Sequence, residues 1–106
     1  MGKKTLEALT ESMFYVLMSL LHKEKCGTEM AEFAEKKTGG RVRMGPGTLY
    51  TILGKFEEEA LIREVWVQGR KRTYKITEKG RARYEEELAR LCACLADAES
   101  EVRYEA

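Results

Sequence analysis

The chain contains one proline, Pro46, and it stands between two glycines, "GPG" at 45–47, directly ahead of a segment that otherwise reads as helix. Glycine inside a helix costs roughly 1 kcal/mol and proline about 3, so the triplet has to be a helix entrance. Proline suits the first helical position, where its missing N–H has no partner to lose. That makes Gly45 the N-cap, a tolerated residue there. Beyond it Leu49, Ile52, Leu53 and Phe56 fall on one face, and Gly47, Thr48, Tyr50, Thr51, Gly54 and Lys55 on the other. The outward face carries no acid until Glu57. The spacing predicts a helix over 46–59. Gly47 has two readings: it lets this helix pack tightly within the chain, or it lets the first turn approach a ligand closely.

The flanking segments give the order of the other elements. From Thr10 to Lys23, Met13, Val16, Leu17, Leu20 and Leu21 form a helical stripe, and Leu6 and Leu9 extend it backwards towards Thr5. "KEKCGTEM" breaks the pattern, and a second helix starts at Gly27 or Thr28 with Met30, Phe33 and Ala34 inward. "KKTGG" ends it, with cations in the last turn and glycines for a left-handed exit. "LIREVWVQ" and "RTYKIT" flank "GRK", the pattern of a hairpin. Thr77 then caps a last helix along which Tyr84, Leu88, Leu91, Leu95, Ala98 and Val102 recur at heptad-like spacing.

Net charge is +1, which says little until it is mapped. Residues 1–40 carry six basic and six acidic side chains; residues 41–83 carry eleven and five, or +6; residues 84–106 carry two and seven, or −5. Such segregation suggests that the middle of the chain meets a polyanion and the end does not. The longest apolar run, "MFYVLMSLL", is too short to span a bilayer, and the start lacks the layout of a signal peptide. The expectation is a cytoplasmic protein with no membrane partner.

Enzymatic chemistry has little to stand on. His22 is the sole histidine, and no Walker loop, dinucleotide fingerprint or zinc spacing occurs. Neither a cofactor nor a metal is expected. The cysteines, Cys26, Cys92 and Cys94, are odd in number and lack framework spacing. Cys92 and Cys94 diverge by about 200° on a helix, which leaves small packing residues as the plainer reading and a sensor between two chains as the other. The only tryptophan, Trp66, falls in the hairpin rather than in the last helix, so the seam offers no indole to sandwich an aromatic ligand. No ligand site is assigned.

Helix, helix, helix, hairpin and long helix is the order of a winged helix-turn-helix with an appended dimerisation helix, a mainly α (α+β) fold. "LTESMFYVLMSLL", "TGGRVRMGPGTLYTILGKFEEEALI" and "GRKRTYKITEKGR" resemble successive signature blocks of the PadR family of bacterial transcriptional regulators, and the likeness runs from about Leu9 to Leu95. The single short C-terminal helix resembles the compact subgroup of that family. Gly45 departs from the pattern, since relatives often carry a serine cap there. The resemblance implies a DNA-binding domain over 1–77 with a two-stranded wing, and a dimerisation helix over 78–106.

It further implies that the third helix lies in the major groove of double-stranded DNA. Its N-terminus, with Gly47 close to a phosphate, fits that role. Thr48 and Tyr50 offer hydroxyls to backbone oxygens, Thr51 and Lys55 follow along the groove, and Arg41 and Arg43 flank the helix. At the wing tip, 69–72, Arg70, Lys71 and Arg72 suit a phosphate wall or a minor groove. Glu57, Glu58 and Glu59 point out of the groove. In the last helix Tyr84, Leu88, Leu91, Leu95, Ala98 and Val102 pack against a second copy, while Glu85, Glu86, Glu87 and Asp97 keep its other side soluble; the alternative is that this helix folds back on its own domain. A homodimer sets the recognition helices roughly 34 Å apart on a pseudo-palindromic operator. PadR relatives are often repressors released by small phenolic or drug-like effectors. The rival reading is a dimeric ligand-sensing or protein-interaction module that keeps the fold without specific DNA binding.

Overall fold

The computed structural model describes residues 8–105. Helix α1 spans Glu11–Ser19, and Thr10 is its N-cap, with Thr10 Oγ1 accepting the Met13 amide at 3.1 Å. The stripe therefore does not make one helix from Thr5 to Lys23. Thr10 has extended backbone, and Leu9 is buried ahead of the helix without belonging to it; Thr5 and Leu6 lie outside the described residues. At the other end Leu20 is the C-cap, its N–H reaching Leu17 O and Met18 O.

The break after α1 contains a strand that no apolar alternation announced. β1 (Lys25–Cys26) pairs antiparallel with β3 (Lys71–Ile76), which also pairs with β2 (Ile62–Gln68), giving sheet order β1-β3-β2. The expected two-stranded wing is thus part of a three-stranded sheet. Lys25 fixes the junction: its Nζ donates to Ser19 O at 2.6 Å and sits 5.4 Å from the Phe33 ring centroid. Phe33, expected inward, is only half-buried beneath lysines 25 and 37.

Helix α2 (Gly27–Lys37) starts where Glu29 Oε1 accepts the Cys26 amide at 2.9 Å. It exits through Gly39 and Gly40, both at positive φ, and Gly40 N–H returns to Glu35 O at 2.8 Å. Helix α3 (Pro46–Glu58) begins as its sequence requires, with Gly45 as N-cap and Pro46 in the first turn. Leu49, Ile52, Leu53 and Phe56 are all buried. They join Val16, Leu17, Met30 and Ile62 in one core. α2 and α3 approach closely at Gly27, where a Cβ would come within 3.1 Å of Leu49 Cδ2.

The hairpin turns through Gly69 at φ +60 followed by Arg70, the glycine-first arrangement of a tight two-residue turn. Thr77 then caps α4 (Glu78–Glu105), its Oγ1 accepting the Gly80 amide at 2.9 Å and donating to Ala60 O at 2.7 Å. Among the described residues, four helices and a small antiparallel sheet in this order make a winged helix-turn-helix with β2–β3 as its wing.

Only the first turns of α4 lie on the domain. Arg81 Nη2 donates to Leu21 O at 2.9 Å, and Tyr84 stacks on Phe14 with ring centroids 4.9 Å apart. Glu87, expected with Glu85 and Glu86 on the solvent side, is instead 2 % exposed. It accepts the Leu9 amide and hydrogen bonds from Arg90, and Arg83 Nη1 lies 3.5 Å away. The bond from Arg90 holds its carboxyl below the ordinary carboxylate range. From Leu88 to Tyr104 every side chain is exposed, an arm of about 25 Å at 1.5 Å per residue. Among the described residues the helix neither folds back along its length nor finds cover.

Candidate nucleic-acid interface

Three features of α3 set it apart. α1, α2 and α4 each carry an acid in the first turn, Glu11, Glu29 and Glu78. α3 carries none, and Gly45 supplies no side-chain cap. Its first-turn amides and the positive end of its dipole are therefore left for an outside acceptor. Thirdly, a Cβ added at Gly45, Gly47 or Gly54 would meet nothing within 4 Å. Gly47 therefore faces open space rather than a packing neighbour.

The polar face is as the spacing places it. Gly47, Thr48, Tyr50, Thr51 and Lys55 are all exposed, Tyr50 by 60 %. Arg70, Lys71 and Arg72 are exposed at the wing tip. Lys71 and Arg72 share with Tyr50 and Gly54 the walls of a single cleft, so the wing tip and α3 flank one surface. Glu57 and Glu58 are exposed at the far end of α3, and Glu59 is its C-cap.

The arginines are less free than a charge count suggests. Arg41 is ion-paired with Glu11 and reaches the Tyr15 hydroxyl at 3.4 Å. Arg43 donates to Gly40 O at 3.1 Å and lies 3.8 Å from Glu35. Arg72 Nη1 holds Glu64 Oε1 at 2.8 Å, and that bond raises the already high pKa of its guanidinium. Lys55, Arg70 and Lys71 have no ion pair among the described residues. Exposed pairs of the Arg41–Glu11 kind are weak and salt-screened, and a phosphate offers the same donors a second charged acceptor.

On α4, Leu88, Leu91, Leu95, Ala98 and Val102 are exposed along one stripe, Leu95 by 59 % and Val102 by 69 %. Tyr84 differs, because its ring lies on Phe14 within the chain; burial, and then Tyr15, raise its pKa. Cys92 and Cys94 are exposed on the same arm, so they do not pack within the chain, whereas Cys26 is buried at the start of α2. Among the described residues no helix is long and apolar enough to cross a membrane, and no cluster of three metal-ligating side chains occurs.

Two residues that hold this frame have roles the sequence did not reveal. Gly80 is one: a Cβ there would come within 2.0 Å of Leu61 O. Glu87 is the other. Its partner amide, at Leu9, lies far away in the chain, and no local pattern signals such a pairing.

No curated protein matches the sequence. Solved structures share the fold. A transcriptional regulator from Clostridium thermocellum superposes with TM-score 0.76 at 20% identity, over 84% of this chain and 87% of that one. A PadR family transcription regulator from Clostridium difficile does so with TM-score 0.75 at 16% identity, over 88% and 99%. Bacillus subtilis PadR, solved in complex with operator DNA, gives TM-score 0.63 at 21% identity, over 72% of this chain and 46% of that one. Residues 16–86 match the model of the transcriptional regulator PadR-like family, a stretch that runs from the core of α1 through α3 and the wing to the start of α4. The chain is a member of the PadR-like family of transcriptional regulators, not an enzyme.

Proposed function

We propose that the protein is a cytoplasmic repressor that binds a pseudo-palindromic DNA operator as a homodimer, with α3 in the major groove and the wing tip on the backbone or in the minor groove. The observation that carries this reading is the outward side of α3. It is exposed, lacks acid through its first two turns and more, opens with uncapped amides, and has glycines facing empty space. A helix built this way accepts a phosphate at its start and a groove wall along its side. Gly47, Thr48, Tyr50, Thr51 and Lys55 supply the helix contacts; Arg41, Arg43, Arg70, Lys71 and Arg72 supply cations around it. The fold shared with Bacillus subtilis PadR, which was solved on operator DNA, supports the same assignment.

The arm supports dimerisation as part of this reading. An apolar stripe left in water on a protruding helix needs a partner, and Leu88, Leu91, Leu95, Ala98 and Val102 offer one long enough for a second α4. Tyr84 contributes at its inner end through Phe14. Release by a small-molecule effector completes the reading.

The test is binding of the chain to the promoter region upstream of its own gene, titrated with salt. Neutralising three or four phosphates per protomer gives a slope of about −6 in log affinity against log salt for the dimer. Lys55→Glu and Arg70→Glu each abolish specific binding while leaving the fold intact. The interaction-module reading is favoured by the pairing of Arg41, Arg43 and Arg72 with acids of the chain itself. Weak, sequence-blind binding with a flat salt slope would establish it instead.

A further inference from the structure

Between the first turn of α2, the middle of α3 and the wing lies an open cleft of about 770 Å³, within the range of small-molecule sites. Its floor is apolar and aromatic, formed by Gly27, Leu53, Tyr50 and Tyr74. Tyr74 is 5 % exposed, and its side chain lines the cleft.

The two walls carry opposite charge. Glu29, Glu32 and Glu57 stand on the helical side, and Arg70, Lys71 and Arg72 on the wing side. Two of the six are engaged already. Glu29 accepts the Cys26 amide, and Arg72 holds Glu64. That leaves Glu32 and Glu57 facing Arg70 and Lys71, with no ion pair joining the walls among the described residues.

We propose that this cleft is a small-molecule site for a flat aromatic zwitterion, its ammonium towards Glu32 and Glu57 and its carboxylate towards Arg70 and Lys71. The aromatic body lies on Tyr50 and Tyr74. A ligand with a single charge satisfies one wall and leaves the other unpaired, so the cleft discriminates by charge pattern as well as by shape. Tyr50, Arg70 and Lys71 also belong to the proposed DNA face, so an occupied cleft excludes the duplex. That consequence rests on the operator reading; ligand binding itself does not.

The experiment titrates the full chain, without DNA, with L-phenylalanine, phenethylamine and 3-phenylpropionate, and follows backbone amide shifts. Shifts are expected at Gly27, Gly54 and Lys71, with phenylalanine binding about fivefold tighter than either single-charge probe. Glu57→Gln lowers phenylalanine to the level of 3-phenylpropionate, and Lys71→Gln lowers it to that of phenethylamine. Each variant is read with the amide positions of α1 and α4 as its control for folding. Equal affinity for the three probes, or shifts confined to α1 and α4, overturns the site. A second arm adds operator DNA: phenylalanine that moves the cleft amides yet leaves DNA affinity unchanged overturns the exclusion. Absence of DNA binding by the unliganded chain overturns the operator reading alone, and the site then stands or falls on the first arm.

Discussion

Glu87 and Gly80 show how much of this molecule depends on single atoms. A carboxylate buried between α4 and the start of α1 is tolerable because the Leu9 amide, Arg90 and Arg83 surround it. Its folded pKa lies below the ordinary value near 4.5. Its stabilisation is therefore fully present above the unfolded carboxylate range and is lost as pH falls through the folded value. Urea unfolding of the wild type should weaken on acidification below about pH 5. Glu87→Gln should cost about 1–2 kcal/mol at pH 7, show a flatter acid limb, and converge with the wild type at low pH. Parallel curves would remove Glu87 from this role. At Gly80 the constraint is steric. A methyl group would press on Leu61 O, which already accepts the Thr77 amide at 3.0 Å, and a backbone carbonyl cannot swing aside as a side chain can. Gly80→Ala should destabilise by about 2–4 kcal/mol, measured by the same unfolding midpoint.

At the scale of elements, α3 was legible because its burial follows from one periodicity and its start from one proline. All four inward apolar residues are buried and the glycine N-cap stands where the triplet puts it. β1 was not legible: two residues, Lys25 and Cys26, have no alternation to read, and their strand exists only through pairing with Tyr74 and Thr73. α1 misled in another way, since Leu9 is buried by the arriving chain without being helical, and an apolar stripe cannot report that difference. The candidate site divides along the same line. Which side chains α3 exposes is periodic and was readable; the ion pairs that engage Arg41, Arg43 and Arg72 join separate elements and were not. Gly47 separates stability from function in one substitution. Since a Cβ there meets nothing within 4 Å, Gly47→Ala should stabilise the fold by about 0.5 kcal/mol through helix propensity and reduced unfolded-state freedom. The same methyl group stands where a phosphate or groove wall would approach, so operator affinity should fall at least about threefold. A variant that gains stability and keeps full affinity would show that α3 enters no groove by this end.

Across the whole molecule the +6 of residues 41–83 and the −5 of residues 84–106 lie on parts with different neighbours. The basic part contains α3 and the wing, and the acidic part is almost wholly the arm of α4 beyond Tyr84. Among the described residues nothing covers the arm, an apolar stripe runs along it, and its acids oppose a polyanion. Its attachment to α1 through Arg81, Tyr84 and Glu87 makes the angle between arm and α3 a property of the fold rather than of a flexible joint. In the proposed dimer, a pair of such protomers would hold two α3 helices at one fixed separation, which in turn would fix the spacing of half-sites. Leu91→Glu combined with Leu95→Glu places two charges in the stripe at exposed positions of the arm. Sedimentation should then find a monomer where the proposed reading makes the wild type a dimer, with the unfolding of the domain core little changed. Binding to a full operator should drop to that of a single half-site, and its salt slope should halve to about −3. Inserting five base pairs between half-sites turns one by about half a helical turn, and should weaken the wild type strongly while leaving the double variant indifferent. A double variant that stays dimeric would place the contact between protomers elsewhere, and equal binding of the wild type to both spacings would show that the arm does not set the register.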